Sequence, residues 1–437
     1  MGYSTVRRIM REGLTDPRNL DGIALWNSTR DVTDLTTDTG IKLWADKSGN
    51  SSTNVLCLNG VAGNYASAPD SAALSITGDI DLRADVALND WTPTGDSTLV
   101  AKWVSVGNAS YVFYVAATTG KLTLAWSVDG TASLSAASSV APTVSDLARL
   151  SVRVTMDVDD GSGNRVITFY TATDFTNWVQ LGTTVTTAGA TSIFDGAGVG
   201  SIGAINNGAG SLLYGNIYRA QIYNGIAGTL VFDANFATAA KLATSFTESS
   251  SNAATVTINT SGATGARISG ARDLYQGTAA NQPILTIAAG GNYLTFDGSN
   301  DYLKAAAFAL AQPETVYFVG SQVSWTADRY FYDGGTNDRM ALIQRTSTPT
   351  LRIYASGGGS YGGAQNGMAV ATNAISTAVY SGAASSHRIN RAAAVAGPSV
   401  GTDAGNGFTL GSAASPAAYG NITAQEVLVY STAQDEN

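Results

Sequence analysis

Hard oxygen donors gather at one place in this chain. Asp157, Asp159, Asp160 and Asn164 fall within Asp157-Val158-Asp159-Asp160-Gly161-Ser162-Gly163-Asn164, a tight loop offering the carboxylate and amide oxygens that calcium takes. The spacing departs from an EF-hand and no bidentate Glu follows, so the competing reading is a turn whose Asp and Asn side chains satisfy the main chain. Carboxylates also pair along strand faces, Asp79 with Asp81 and Asp157 with Asp159, near strand ends where Asp serves solvation and turn hydrogen bonds. The single histidine, His387 in Ser385-Ser386-His387-Arg388, is the one candidate base for Ser/His/Asp chemistry, and its polar neighbours read as a solvated loop or strand end.

Aromatic side chains are the other candidates, because a flat ring suits the apolar face of a pyranose. Most of the 7 Trp and 19 Tyr are expected in the core, Trp103, Trp126 and Trp178 among them, since they lie in or beside alternating strands. Trp91, in Asn89-Asp90-Trp91-Thr92-Pro93, and Tyr361, in the Gly-rich run 357–363, sit at turns and are the candidates for carbohydrate contact. That Gly run lacks the Lys-Ser/Thr of a phosphate loop and serves a sharp turn.

At the N-terminus, Ser4 or Thr5 caps a short helix with Val6, Ile9 and Met10 on one face and Gly13 as its stop. Arg7, Arg8 and Arg11 fall largely on the other faces. They form either a frayed, soluble terminus or a basic arm that docks on a larger acidic assembly. The same arginines and Glu12 interrupt the apolar stretch that a secretory signal needs, so the expectation is a chain made in the cytosol and not exported by that route.

The elements that must position these residues follow from composition. Charged residues make up 13% of the 437, roughly half of the ~25% usual for soluble domains, and only five are Glu: Glu12, Glu248, Glu314, Glu426 and Glu436. Scarce Glu and Lys with abundant Gly, Ser, Thr and Ala favour strands and turns over helices. A net charge of -9 disfavours nucleic-acid binding, Cys57 alone makes no disulfide, and no apolar run approaches the ~18 residues that span a bilayer. From Ala148 to Val158, Leu150, Val152, Val154, Met156 and Val158 alternate with polar residues, the signature of a half-buried antiparallel strand. The loop 159–164 then turns it into a hairpin with Arg165–Thr171. Tyr214-Gly215-Asn216-Ile217 recurs as Tyr419-Gly420-Asn421-Ile422, each preceded by a Gly-flanked strand, which argues for duplicated sandwiches. The expected organisation is an arm and lead-in at 1–50, a larger first sandwich at 51–268 and a smaller second one at 269–437.

With that architecture, Tyr293-Leu294-Thr295-Phe296-Asp297-Gly298-Ser299-Asn300-Asp301-Tyr302-Leu303, Thr377–Gly382 and Gly420–Tyr430 resemble the LamG-like, concanavalin A-type lectin and glucanase superfamily, in the form carried by tailed-bacteriophage structural proteins. Residues 165–171, 177–182 and 215–226 are similar to a related phage version, and Trp44-Ala45-Asp46-Lys47-Ser48-Gly49-Asn50 resembles the lead-in of such repeats. The resemblance implies an all-β chain of two tandem antiparallel jelly-roll sandwiches, whose concave face or edge loops bind sugars or proteins. Members that cleave β-glucans carry a Glu-x-Asp-x-x-Glu strand, and retaining chemistry needs two carboxylates ~5 to 5.5 Å apart. No two of the five Glu here are closer than ten residues, so the expectation is a protein without that catalytic strand. The functional expectation is a virion component made in the host cytoplasm: a tail-tip, fibre or capsid-surface protein that contacts other virion proteins, forms a homo-oligomer and adheres to cell-surface glycan. The rival is a bacterial carbohydrate-binding or adhesion module, and the third reading a glycosidase that uses Asp.

Overall fold

The computed structural model describes residues 23–29, 35–37, 40–48, 53–105, 107–262, 265–289, 291–356 and 359–434. The expected N-terminal helix, with Arg7, Arg8 and Arg11, lies outside the described residues. Among those described, the only helical turns are three-residue 3-10 segments, and no helix is long and apolar enough to cross a membrane.

Alternation becomes strand where it was expected. Arg149–Asp157 buries Val152, Val154 and Met156 completely and pairs in register with Asn164–Ala172, Val154 facing Phe169. The layer containing that hairpin runs Val179–Gln180, Asn164–Ala172, Arg149–Asp157, Ile80–Leu88, Tyr214–Asn224, Asn54–Asn59 and Arg267–Gly270, with Val185–Ala188 and Thr229–Asn235 as side branches. A second layer runs Ser133–Ala137, Leu122–Ser127, Asn108–Val115, Ser97–Val104, Gly200–Ile202, Tyr65–Ala68, Thr255–Asn259 and Ser245–Thr247. Leu82, Val86, Val154 and Phe169 from the first meet Tyr111, Phe113, Leu124 and Trp126 from the second in one core. Burying a side chain of this size stabilises by roughly 1.5–3 kcal/mol, which is why the inward positions admit so few polar residues. This sandwich is the unit Thr53–Ser269.

The other unit joins Gly270–Asn437 to the segment before residue 53. One of its layers contains Ile284–Thr286, Tyr293–Asp297, Asn421–Tyr430, Glu314–Gln322, Ala374–Tyr380, Ser386–Ile389 and Val395–Ala396. The facing layer runs Leu35–Thr37, Ile41–Trp44, Leu274–Tyr275, Leu303–Lys304, Thr409–Leu410, Arg329–Asp333, Ala341–Gln344, Leu351–Tyr354 and Gly362–Gln365. Residues 1–50 read from sequence as arm and lead-in, yet part of that stretch is structural wall. Ile23–Ser28 pairs antiparallel with Asn421–Tyr430, Leu25 facing Val429, and Trp44 is fully buried with its indole N–H donating to the Ser28 carbonyl at 3.1 Å. Leu25, Leu35, Ile41 and Trp44 all enter this core. Their strands are three to six residues long and split by polar turns, so no period-two run announces them.

The two sandwiches repeat one design. Gly203 (φ +87°) and Gly411 (φ +86°) hold equivalent places, because a Cβ there would lie 2.2 Å from Leu58 Cδ1 in one and 2.3 Å from Phe296 Cδ1 in the other. Tyr214 pairs with Asn59, which precedes Gly60; Asn421 pairs with Asp297, which precedes Gly298. The matching tetrapeptides therefore lie on equivalent strands, two residues out of step. Thr229–Asn235 flanks the later half of Tyr214–Asn224, and Ile23–Ser28 takes the corresponding edge of Asn421–Tyr430.

His387 is not the solvated residue that its polar neighbours suggest. It is fully enclosed, its Nδ1–H donating to the Gly363 carbonyl at 2.8 Å and its Nε2 meeting the Ser376 hydroxyl at 2.9 Å, and burial pulls its pKa down to about 4. Strand Ser386–Ile389 turns His387 and Ile389 inward, so the alternation that makes Ser386 and Arg388 polar also buries the imidazole. Glu314 is equally enclosed; Oε1 accepts the Gly405 N–H at 2.8 Å, Oε2 has no partner, and burial pushes its pKa up to about 8. In the folded chain Glu314 keeps its proton where the unfolded chain has lost it, so stability falls as pH rises from 4.5 to about 8, by about 1.4 kcal/mol per pH unit for this group. His387 acts at the other end, its contribution being lost as pH falls from 6.5 to about 4. Glu314→Gln is expected to raise Tm near pH 8 and to leave it unchanged below pH 4.5; thermal melts giving the same difference at both would contradict a neutral buried carboxyl.

Candidate functional site

The candidate residues divide between the interior and self-contained turns. Trp91, expected at an exposed turn, is 4% exposed and belongs to the core of the 53–269 sandwich. Asp90 explains the misreading: its Oδ1 accepts the Thr92 N–H at 2.7 Å and makes the segment look like a surface turn, while Trp91 folds beneath it. The indole N–H donates to the Ala148 carbonyl and the main-chain N–H to Asp146. Tyr361 stays half-buried, its ring 4.6 Å from that of Tyr354 and the Arg345 guanidinium 4.3 Å from its centroid, so its faces are already occupied by the protein.

In the acidic loop, Asp157 Oδ1 accepts the Asp159 N–H, Asp159 Oδ1 those of Gly161 and Gly163, and Asp160 Oδ1 those of Ser162 and Asn164. The Asn164 side chain donates to Asp160 Oδ2 at 3.0 Å, and this bond leads those that hold the Asp160 carboxyl below its usual range. The loop brings the four predicted ligands together as a hairpin turn. Among the described residues no group of three or more His, Cys, Asp or Glu is placed to hold a metal ion.

Asp81, expected at a solvated strand end, is fully buried. Burial alone would push its carboxyl up; bidentate hydrogen bonds from Arg83 and from Arg153, at 2.7 to 3.1 Å, outweigh it and hold the carboxyl low. It anchors a network that sequence reading passed over. Arg149 pairs with Asp85 and Arg219 with Asp233, while each guanidinium lies over a ring: Arg83 on Tyr223 at 4.1 Å, Arg149 on Tyr218 at 3.9 Å, Arg153 on Tyr170 at 4.9 Å and Arg219 on Phe175 at 5.4 Å. The register makes this possible by setting Arg83 opposite both Arg153 and Gln221. The signal was the outward half of the alternation, Asp81, Arg83 and Asp85 beside Arg149 and Arg153. With every guanidinium matched to a carboxylate, this face is a braced wall more than a receptor for anions.

A concave site lies instead at one end of the same sandwich, a cleft of about 590 Å³. Asn59, Asn89, Asp90, Asp96, Ser211 and Tyr214 line it. Tyr214, 41% exposed, starts the central strand, where its carbonyl accepts the Asn89 N–H at 2.9 Å. Asp96 Oδ1 accepts the Ala117 N–H at 2.9 Å, so this loop too is fixed by its own hydrogen bonds. The result is a pre-formed hollow of amides, carboxylates and hydroxyls with one accessible ring, suited to a polyhydroxylated ligand.

No family model matches the chain, and neither does any curated protein. Among solved structures, domains LG4-5 of the mouse laminin α1 chain align with 88% of this chain and 92% of theirs at 8% identity and a TM-score of 0.31. The native heptameric SAP-like pentraxin of Limulus polyphemus aligns with 40% of this chain and 77% of its own, at 13% identity and 0.29. The CBM40 of Ruminococcus gnavus IT-sialidase, bound to α2,3-sialyllactose, aligns with 38% and 90%, at 12% identity and 0.29. At these scores the likenesses add nothing to the architecture read from the strands themselves.

Two outcomes follow from the placement of the predicted residues. Trp91→Ala is expected to cost about 3–5 kcal/mol in chemical denaturation, as for a core Trp and unlike a surface one. Calcium added to a chelator-treated sample is expected to leave Tm unchanged, because Asp157, Asp159 and Asp160 each commit Oδ1 to main-chain N–H groups of the turn; a rise in Tm would reinstate the loop as a metal site.

Proposed function

We propose that this chain is a non-catalytic carbohydrate-binding protein whose 53–269 sandwich takes a neutral glycan in the end cleft, and that it works as a structural component of a bacteriophage virion. One contrast carries the binding reading. Asp301, Glu314, Asp333 and His387, the carboxyl and imidazole groups that burial holds toward their neutral forms (Asp301 up to about 6, Asp333 up to about 7), are buried and none of them lines the cleft, which offers Asp, Asn and Ser from turns and a tyrosine ring. General acid–base catalysis needs a tuned group within reach of substrate, and none of these four lines the cleft.

The virion reading adds assembly. It is supported by the resemblance of residues 293–303 and 420–430 to phage structural repeats and by a lone buried thiol, Cys57. Copies on a tail tip, fibre or capsid surface, packed against other virion proteins or as a homo-oligomer, turn weak glycan contacts into avidity. Arg7, Arg8 and Arg11 are the proposed docking arm. A bacterial adhesion module would use the same cleft and differ in where the protein is found.

On a glycan array, the full chain is expected to bind neutral glycans, with Tyr214→Ala weakening binding at least about tenfold, near 1.4 kcal/mol. Release of sugar from a polysaccharide panel, lost in Asp90→Asn or Asp96→Asn, would overturn the non-catalytic reading. Mass spectrometry of purified virions is expected to find the chain in the particle and to lose it when residues 1–20 are deleted; absence of the intact chain leaves only the adhesion module.

A further inference from the structure

The second sandwich has a cleft at its own Asp297-Gly298 turn, the counterpart of Asn59-Gly60, but its chemistry differs. This cleft is about 140 Å³, bounded by Asp297, Ser324, Thr326, Arg329, Gln344 and Tyr419, with Asn421 at its edge. That volume is about five waters at ~30 Å³ each, the scale of one sugar ring.

Arg329 sets it apart. Nearby arginines are matched, Arg345 to Asp328 and Arg339 to Asp403. Arg329 is half-buried and makes no ion pair with any described residue, so a planar fork of donors lines a small hollow with no carboxylate in ion-pair range of it. The walls around it are fixed. Gln344 donates to Gln322 Oε1 at 2.9 Å and to the Ser324 carbonyl at 2.8 Å, and accepts the Thr326 N–H at 3.2 Å. Tyr419 donates its hydroxyl to the Pro416 carbonyl at 3.0 Å, and the Trp325 indole N–H, between two lining residues, is enclosed without a partner. Asp297 directs Oδ1 to the Ser299 and Asn300 N–H groups while lining the same hollow.

A small multivalent anion such as phosphate would meet Asp297 along with Arg329. A sugar that carries its carboxylate at one end and hydroxyls at the other meets both favourably, since a guanidinium binds a carboxylate bidentately and a carboxylate accepts from hydroxyls. We propose that this cleft is a site for a uronic acid residue, with Arg329 pairing its carboxylate and Asp297 accepting from its ring hydroxyls. The site is independent of the cleft at Tyr214, which lies in the other sandwich.

The test uses the full chain, with binding followed by saturation-transfer NMR and calorimetry against glucuronate, glucuronamide and inorganic phosphate. Glucuronate is expected to bind at least about tenfold more tightly than glucuronamide, which keeps the ring and loses the charge. Arg329→Gln is expected to abolish that preference, Arg329→Lys to keep part of it, and Tyr214→Ala to leave it intact, each variant being checked for an unchanged melting temperature. Failure of glucuronate to bind, equal binding of the amide, an unaffected Arg329→Gln, or phosphate competing as well as glucuronate would each overturn the proposal. Loss of neutral-glycan binding in Tyr214→Ala with glucuronate binding intact separates the two sites.

Discussion

In each sandwich, two sheets burying their inward faces against each other set the described positions of chemical interest. Period-two alternation means that each core residue fixes its neighbours on the far side of the sheet. When Leu82, Ala84 and Val86 turn in, Asp81, Arg83 and Asp85 must turn out onto a shared surface with Arg149 and Arg153. The strands then run out into loops, and the hollows form there, at the Asn59-Gly60 and Asp297-Gly298 turns, where the sheets no longer have side chains to oppose.

The fold was legible to the extent that alternation was long. Arg149–Asp157 and its hairpin partner announced themselves, and the repeated Tyr-Gly-Asn-Ile pointed to equivalent strands. Short strands did not: Ile41–Trp44 has four residues, and nothing local shows that Trp44 is enclosed by residues more than 200 positions away. The site was less legible still. Turn residues reveal that the chain bends and leave open which way a ring between them points, so Trp91 beneath Asp90 and His387 between Ser386 and Arg388 both read as exposed. Tyr214 stands out in the sequence as part of a repeat, which does not reveal its exposure, and Arg329 lies in a stretch, Ala327-Asp328-Arg329-Tyr330, where only three dimensions show that Asp328 turns to Arg345 instead.

Interior polar groups follow the same geometry. Asp81 is tolerated because two guanidiniums reach it, and Asp333 because the N–H groups of Gly334, Asp338, Arg339 and Ala414 converge on it. Glu314 has one N–H and stays protonated. Pairing with a guanidinium, more than depth or the number of N–H donors, separates Asp81, whose carboxyl is held low, from Glu314 and Asp333, the latter pushed up to about 7 despite its four N–H groups.

The strand Ile23–Ser28 closes one edge of Asn421–Tyr430, and the Thr29 hydroxyl reaches the Gln425 carbonyl across 396 residues of chain. During synthesis the strand that completes this sheet is made long before its berth. Until they meet, residues 426–430 present an open ladder edge and Leu25 has no core to enter. Contacts this distant in sequence form slowly, and the waiting edge accepts any strand of the right sequence, including the same strand from a second copy. Where many chains are made side by side, that exchange offers a route to linked copies without any new interface having to evolve.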